Sequence, residues 1–221
     1  MTEGKTGGRH RERTKVQRLP EKQVTDRAVL NAVLDAALVA HVAVPQEHRL
    51  AVIPVGMARD GDRLLIHGST GSQAFRTLAG GVATCATVTL LDGIVVARSQ
   101  FESSMHYRCV MLFGSFVPIR DDERAAALAV LTAHLLPGLT GARPPSAKEL
   151  AATSVLAMPL TEWSLKVSDS APDDAETDLD RPVWAGVVPL RHTWGTPVPA
   201  PDLTTDRPAP AALSTWPEGR A

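Results

Sequence analysis

Tyrosine occurs once in the 221 residues, cysteine twice, and all aromatics together make up only 4% of the chain. The two cysteines, Cys85 and Cys109, lie far apart inside apolar stretches. They cannot form a disulfide framework or supply paired zinc ligands at finger spacing, and we read them as two buried, reduced thiols. No apolar run approaches the ~20 residues of a membrane-spanning helix, so no membrane is expected. The opening MTEGKTGGRHRERTK is basic and polar with no apolar core behind it. That is not a secretory signal, and the expected location is cytoplasmic. A net charge of −1 gives no overall field for nucleic acid. The seven histidines are scattered, without the His-x-x-x-His spacing of a metal site, and none is expected. Also missing are the Gly-Lys-Ser/Thr of a phosphate-binding Walker loop, the Gly-x-Gly-x-x-Gly of a dinucleotide fold and the Gly-x-Ser-x-Gly of a hydrolase.

Charge is unevenly placed. Residues 1–18 carry six basic side chains and two acidic ones; we take them as a flexible, solvated arm rather than a nucleic-acid contact. Residues 169–180 carry six acidic side chains around Pro172, the pattern of an exposed loop. Residues 194–221 contain six prolines and form a tail, extended or disordered. The domain proper is therefore expected over 19–193.

Within it, Thr25-Asp26 offers an N-cap to a helix with apolar positions Leu30, Val33, Leu34, Ala37 and Leu38. A short strand follows at 41–44. Apolar runs 50–57 and 63–66 flank Asp60-Gly61-Asp62 and predict a hairpin. A second hairpin is expected around Asp92-Gly93, joining 82–91 to 94–99. Residues 107–119 read as a strand, 121–136 as a helix, and Ser146-Ala-Lys-Glu149 as a capping box. Strands are expected again at 154–167 and 183–190. Hairpins imply antiparallel pairing, and strands apolar on both faces suit a closed surface with helices packed outside. The expected fold is mainly β with flanking helices: a small antiparallel barrel.

The stretch richest in chemistry is His67-Gly68-Ser69-Thr70-Gly71-Ser72-Gln73-Ala-Phe-Arg76, a strand end, a loop of small residues and a helix start. N–H groups converging there favour an anion, Ser69 and Ser72 add hydroxyls, and Arg76 lies one turn on. The same spacing also suits a polar turn with an N-cap and a surface arginine. His67, beside the loop, and Tyr107 are the candidate acid–base groups.

The order Ile53-Pro54, Leu64-Leu-Ile-His67-Gly68, Ser72 with Arg76, and Thr87-Val-Thr-Leu-Leu-Asp92-Gly93-Ile-Val-Val-Ala-Arg98-Ser99 resembles the pyridoxamine 5′-phosphate oxidase-like flavoproteins. Phe101-Glu-Ser-Ser-Met-His-Tyr107-Arg108, Glu149-Leu-Ala-Ala-Thr153, Lys166 and Val183-Trp184-Ala-Gly186-Val-Val-Pro189-Leu190 continue the resemblance. The nearest branch is that of nitroimidazole-resistance-related and flavin-nucleotide-binding proteins. The chain reads His106-Tyr107-Arg108-Cys109 where that branch often has Asn-Tyr-Arg-Ser. It also lacks the C-terminal Arg-x-x-His-Arg pattern of pyridoxamine phosphate oxidases proper, which disfavours that specific reaction.

The resemblance implies a split β-barrel, homodimeric, holding FMN in the cleft between subunits. It places the phosphate near His67, Gly68, Ser69, Ser72 and Arg76. The flavin ring would lie along Val52, Ile53, Pro54 and Val55 and the strand around Thr87 and Thr89. Arg98, Ser99, Ser104, Tyr107, Arg108 and Trp184 would border the cleft, with Trp163 and Lys166 as weaker candidates. The implied activity is oxidoreduction of a small molecule, nitroreductase-like as a first reading. The alternatives are a non-catalytic FMN carrier or sensor, and the same barrel using F420 or haem.

Overall fold

The structure, a computed structural model, describes residues 13–46, 49–203 and 208–216. Its frame is a ten-stranded antiparallel sheet in the order β1-β9-β6-β5-β2-β3-β4-β8-β7, with β10 also paired to β5. In chain order the elements are β1 (Gln23–Val24), α1 (Arg27–Ala36), β2 (Val39–Gln46), β3 (Arg49–Asp60), β4 (Arg63–Ser69), α2 (Gln73–Ala79), β5 (Ala83–Val96) and β6 (Ser104–Ser115). Then follow β7 (Val117–Pro118), α3 (Arg124–Leu135), α4 (Ala147–Ala152), β8 (Thr153–Pro159), β9 (Trp163–Ser168) and β10 (Gly186–Pro189).

The architecture turns on β3. Its first part, Arg49–Gly56, pairs with β2, and its second part, Met57–Asp60, pairs with β4. One strand thus serves two halves of the sheet, which curl about a common interior as a split barrel. That interior holds Leu64 and Ile66 of β4, Ala86, Val88 and Leu90 of β5, Val110 and Leu112 of β6, and Leu156 and Met158 of β8. Leu30, Val33 and Leu34 of α1 belong to the same cluster. A second cluster, Ala58, Leu65, Val155 and Ala157, lies on the opposite face, beneath Ala127 and Leu131 of α3. The middles of β4 (64–66) and β8 (155–158) are apolar in both phases because they have a core on each side.

Local chemistry accounts for several ends. The Asp26 carboxylate accepts from the Ala28 N–H at 2.7 Å and starts α1. Gly61 takes φ +58° in the β3–β4 turn, so that hairpin forms as the sequence predicts. Ser146 and Glu149 close a complete capping box on α4, and Arg143 grips Glu149 at 2.6 and 2.8 Å. The arginine and the cap donors hold the Glu149 carboxyl well below the usual carboxylate range.

Four expectations need correction. The second hairpin, around Asp92-Gly93, does not exist: β5 runs through it with a bulge between Leu91 and Gly93. Gly93 serves close packing instead, since a Cβ there would sit 2.8 Å from the Val188 carbonyl oxygen of β10. The reversal comes later, at 97–103, where Ser103 Oγ accepts from Ala97 N–H and donates to Ser99 O. The strand expected over 154–167 is two strands, β8 and β9, and that over 183–190 shrinks to β10. The acidic run is not wholly exposed: the Asp174 side chain is 1% exposed, ion-paired with Arg98.

Part of each terminal segment falls outside the described residues, 1–12 of the arm and 204–207 and 217–221 of the tail. Arg13 pairs with Glu162 and stacks over the Phe113 ring. In the tail, Ala211–Thr215 forms a 3₁₀ turn and Trp216 meets Trp194 edge to face at 5.1 Å.

Gly68 ties the site loop to the core. A Cβ on Gly68 would lie 2.7 Å from Cδ2 of the buried Phe75 ring and closer still to Cε2. Gly68→Ala should therefore cost roughly 1–3 kcal/mol through overpacking. Chemical denaturation checks this; an unchanged midpoint would mean the ring yields freely.

Candidate functional site

The bare outer face of β2, β3, β4 and β5 is where the predicted residues gather. Alternation on β3 sends Val52, Pro54 and Gly56 outward and Ile53 and Val55 inward. Val52 is 60% exposed, whereas Val55 is part of the core and Ile53 packs against it. Of the predicted ring-contacting run, only Val52 and Pro54 present side chains on this face; Ile53 and Val55 offer it backbone alone.

His41 of β2 stands opposite both Pro54 and Thr87, and so joins this face. Beside it, the His67 imidazole leans over Gly56, where an added Cβ would be 3.8 Å from its Cε1. Both histidines are exposed, and no hydrogen bond holds either ring among the described residues. The sequence marked His67 through its loop but gave no motif for His41. The available clue was outward phase, since His41 alternates with the buried Ala40 and Val42. On β5, Thr87 and Thr89 point away from the core, and Thr89 Oγ1 donates to Cys109 Sγ at 3.4 Å. Burial pushes the nearby Cys85 thiol up.

The loop leading from β4 to α2 is exposed but partly self-satisfied. The N–H of Thr70 goes to Ala152 O, that of Gly71 to Ser69 Oγ, and that of Ser72 to Ser69 O. Ser72 caps α2 by accepting from Phe75 N–H. Among the described residues no hydrogen bond outside α2 takes up the N–H groups of Gln73 and Ala74 in its first turn. Arg76 folds back onto the loop as its spacing suggests, donating to Gly71 O at 2.7 Å and to Gln73 Oε1 at 2.9 Å. Its guanidinium sits over carbonyls.

Apart from Trp163 and Lys166, which lie across β6 from positions 86 and 89 of β5, the remaining predicted residues form a second group toward the far end of β5. Arg98 lies just past the strand; from Thr87 the chain runs on the order of 30 Å along β5 to reach it, at ~3.3 Å per residue. Ser99 Oγ accepts from Glu102 N–H within the reversal, and Ser104 opens β6 opposite Val95. Tyr107 lies between Leu91 and Ser168, and Arg108 forks onto Asp92 at 2.9 and 2.7 Å. That hydrogen-bonded pairing pushes the Arg108 pKa further up. Trp184 is 64% exposed, its indole folded against Gly186. Trp163 packs against the core, and Lys166 donates to Arg18 O at 3.0 Å.

One chain therefore presents two groups of predicted residues that adjoin through β5 and β6, Tyr107 lying two register positions beyond the Thr89–Cys109 pair. Exposed apolar side chains accompany both: Val39, Leu50, Val52 and Met111 with the first, Ile94, Phe101, Met105 and Val188 with the second. Among the described residues no cluster of three or more His, Cys, Asp or Glu could hold a metal ion, and no helix is long and apolar enough to cross a membrane.

Comparison with known proteins places this architecture. No curated protein matches the chain. Among solved structures, an FAD- and haem-binding protein of Mycobacterium smegmatis is 45% identical over 90% of this chain and all of its own, with a TM-score of 0.86. The flavocytochrome Anf3 of Azotobacter vinelandii is 36% identical over 92% of this chain and 95% of its own, with a TM-score of 0.85. The family model described as pyridoxamine 5′-phosphate oxidase matches residues 26–167, from the cap of α1 to β9. The chain belongs to that family of split-barrel proteins.

Proposed function

We propose that the chain is a flavin- and haem-binding oxidoreductase whose cofactors lie on the outer face of β2–β5, between two copies of the chain. The observation that carries this reading is the His67 imidazole. It is exposed, held by no hydrogen bond, and set over a glycine on a face flanked by Val52 and Pro54. An imidazole on an apolar surface could hold a haem iron, which would supply single-electron chemistry there, and an orienting partner for its second nitrogen would come with the ligand or the second chain. Support also comes from the FAD- and haem-binding protein, similar over 90% of this chain.

For the flavin, the fitting features are the N–H groups of Gln73 and Ala74 and the adjacent Arg76. A phosphate arriving there would replace the Gly71 carbonyl as the arginine's partner, a charge-assisted bond in place of a neutral acceptor. The riboflavin 5′-phosphate is common to FMN and FAD, and we retain FMN as the shared moiety. A bound flavin supplies the exchange between two-electron and one-electron chemistry, and haem iron supplies single-electron steps. The protein's own part is positional. Val52, Pro54 and Met111 exclude water from the ring, and Thr87 and Thr89 offer hydroxyls to it. His67 would serve iron rather than act as an acid or base, which leaves Tyr107 as the acid–base candidate. The electron acceptor would be a small molecule reduced at the cleft. A carrier without turnover would use the same residues; it differs in that bound flavin would reoxidise no faster with any acceptor than with oxygen.

The test is the absorbance spectrum of purified protein after separate addition of flavin and haemin and removal of the excess. We expect both the two flavin bands and a Soret band. His67→Ala should lose the Soret band and keep the flavin. Arg76→Ala should weaken flavin binding by about 1.5–3 kcal/mol, read as a rise in Kd by fluorescence quenching. A protein that retains neither group contradicts the reading; an unchanged Soret band in His67→Ala would move the iron ligand elsewhere, His41 first.

A further inference from the structure

Most arginines on this molecule are matched by a carboxylate, and one edge is the exception. Ten of the described arginines hold a carboxylate within ion-pair distance, from Arg13 with Glu162 to Arg181 with Asp178. Lys15, Arg18, Lys22 and Lys166 hold none among the described residues, and the fold gathers these four along the free edge that β1 and β9 make.

Scaffold bonds set them there. The Gln23 side chain accepts from Val16 N–H and donates to Thr14 O, both at 3.0 Å, which lays 14–16 against β1 with Lys15 exposed between them. Lys166 Nζ donates to Arg18 O and Lys22 Nζ to Ser168 Oγ, each at 3.0 Å. These acceptors are neutral, so the four charges stay uncompensated. Residues 13–18, expected as part of a flexible arm, thus form a pinned ridge. From 13 to 24 the only acidic residue is Glu21.

Between Arg18 and Lys22 the ridge displays Leu19, 44% exposed, at φ +57° and ψ +61°. Among the described residues it is the one non-glycine at positive φ. A branched side chain in the left-handed region is strained, and an apolar knob held out this way among fixed cations complements a protein surface with an apolar centre and an acidic rim. Residues 13–24 hold no aromatic side chain for a nucleic-acid base to stack on. One exposed leucine is little apolar surface to hold a membrane. The ridge also adjoins the cofactor face. Lys166 stands opposite Cys109 and Cys109 opposite Thr89, which puts the ridge two strands, about 10 Å, from that part of β5.

We propose that this ridge docks an acidic electron-donor protein, with Leu19 as its apolar anchor, and so brings the reductant to the flavin. This rests on the reading that the chain is a flavin-dependent oxidoreductase. Each docked donor gives up one electron and leaves oxidised; two deliveries, with protons taken from water, reduce the flavin fully.

The experiment follows reduction of flavin-loaded protein by stopped flow, with a reduced two-iron plant-type ferredoxin as the acidic donor and photoreduction with EDTA as the control. The wild-type rate should fall about tenfold or more from low to high salt. Lys15→Glu/Arg18→Glu should be slower by about tenfold or more at low salt and nearly insensitive to salt, with photoreduction and flavin Kd as in wild type. Lys148→Glu, which reverses an exposed lysine on α4, should match wild type. Leu19→Asn suits the left-handed backbone, so it should keep or raise the thermal midpoint yet raise the half-saturating ferredoxin concentration severalfold. Equal ferredoxin rates in wild type and the double variant at every salt concentration would overturn the proposal. If the double variant then also lost a retention on phosphatidylserine vesicles or duplex DNA that wild type shows, the ridge would belong to that surface instead. If wild type binds no flavin, the functional reading fails separately, and calorimetry with oxidised ferredoxin decides the ridge. Binding by wild type and not by the double variant upholds the docking surface; binding by both or by neither overturns it.

Discussion

The change of partner in the middle of β3 is the constraint from which the rest follows. At Gly56–Met57 the strand leaves β2 and takes up β4, so the sheet bends around a shared interior. On the outer side of that bend α3 covers Ala58 and Leu65 but extends no further over β3, and Val52, Pro54, Gly56 and His67 stay bare. Glycine at the switch leaves open the space over which the His67 ring lies. A core on one face, a helix on part of the other, and a remaining strip of apolar surface with two free imidazoles are consequences of one strand serving two half-sheets.

The same division explains how the charged groups are spent. The far end of β5 is organised by carboxylate–arginine pairs, Asp92 with Arg108 and Asp174 with Arg98, each drawing in a segment distant in sequence. Partly exposed pairs of this kind contribute little to stability alone. Their effect is geometric: they fix where a guanidinium can point. On the loop from β4 to α2, Arg76 instead rests on backbone carbonyls and the Gln73 amide oxygen, neutral acceptors it can readily exchange. The two ends thus have complementary chemistry, one adaptable and one aimed. A site assembled from the near end of one chain and the far end of another would use both.

Much of this was legible before any coordinates. Helix α1, its Asp26 cap, the Gly61 hairpin, the Ser72 cap and the Ser146 capping box are local events, governed by side chains within a few residues of each other. The family resemblance marked the outer-face strands and the loop. The failures are non-local. Asp92-Gly93 has the same dipeptide as Asp60-Gly61, yet it makes a bulge, because β10 must approach where only a glycine fits. Asp174 is one of six acids in its run, and nothing in the spacing singles it out; only the folded path of 169–180 brings it to Arg98. Ile53 and Val55 looked like neighbours of Val52 on one contact edge, but a strand alternates, and they belong to the core.

If, as proposed, a second copy of the chain covers the bare outer face with the cofactor between them, the flavin-loaded protein must be a dimer. Sedimentation equilibrium on wild type and Val52→Glu, each with and without added flavin, tests it most directly. The account predicts a wild-type mass of twice the 23.5 kDa chain, and a shift toward monomer with weakened flavin binding when a charge replaces the exposed valine. A wild-type protein that binds flavin while remaining a 23.5 kDa monomer at micromolar concentration would contradict it.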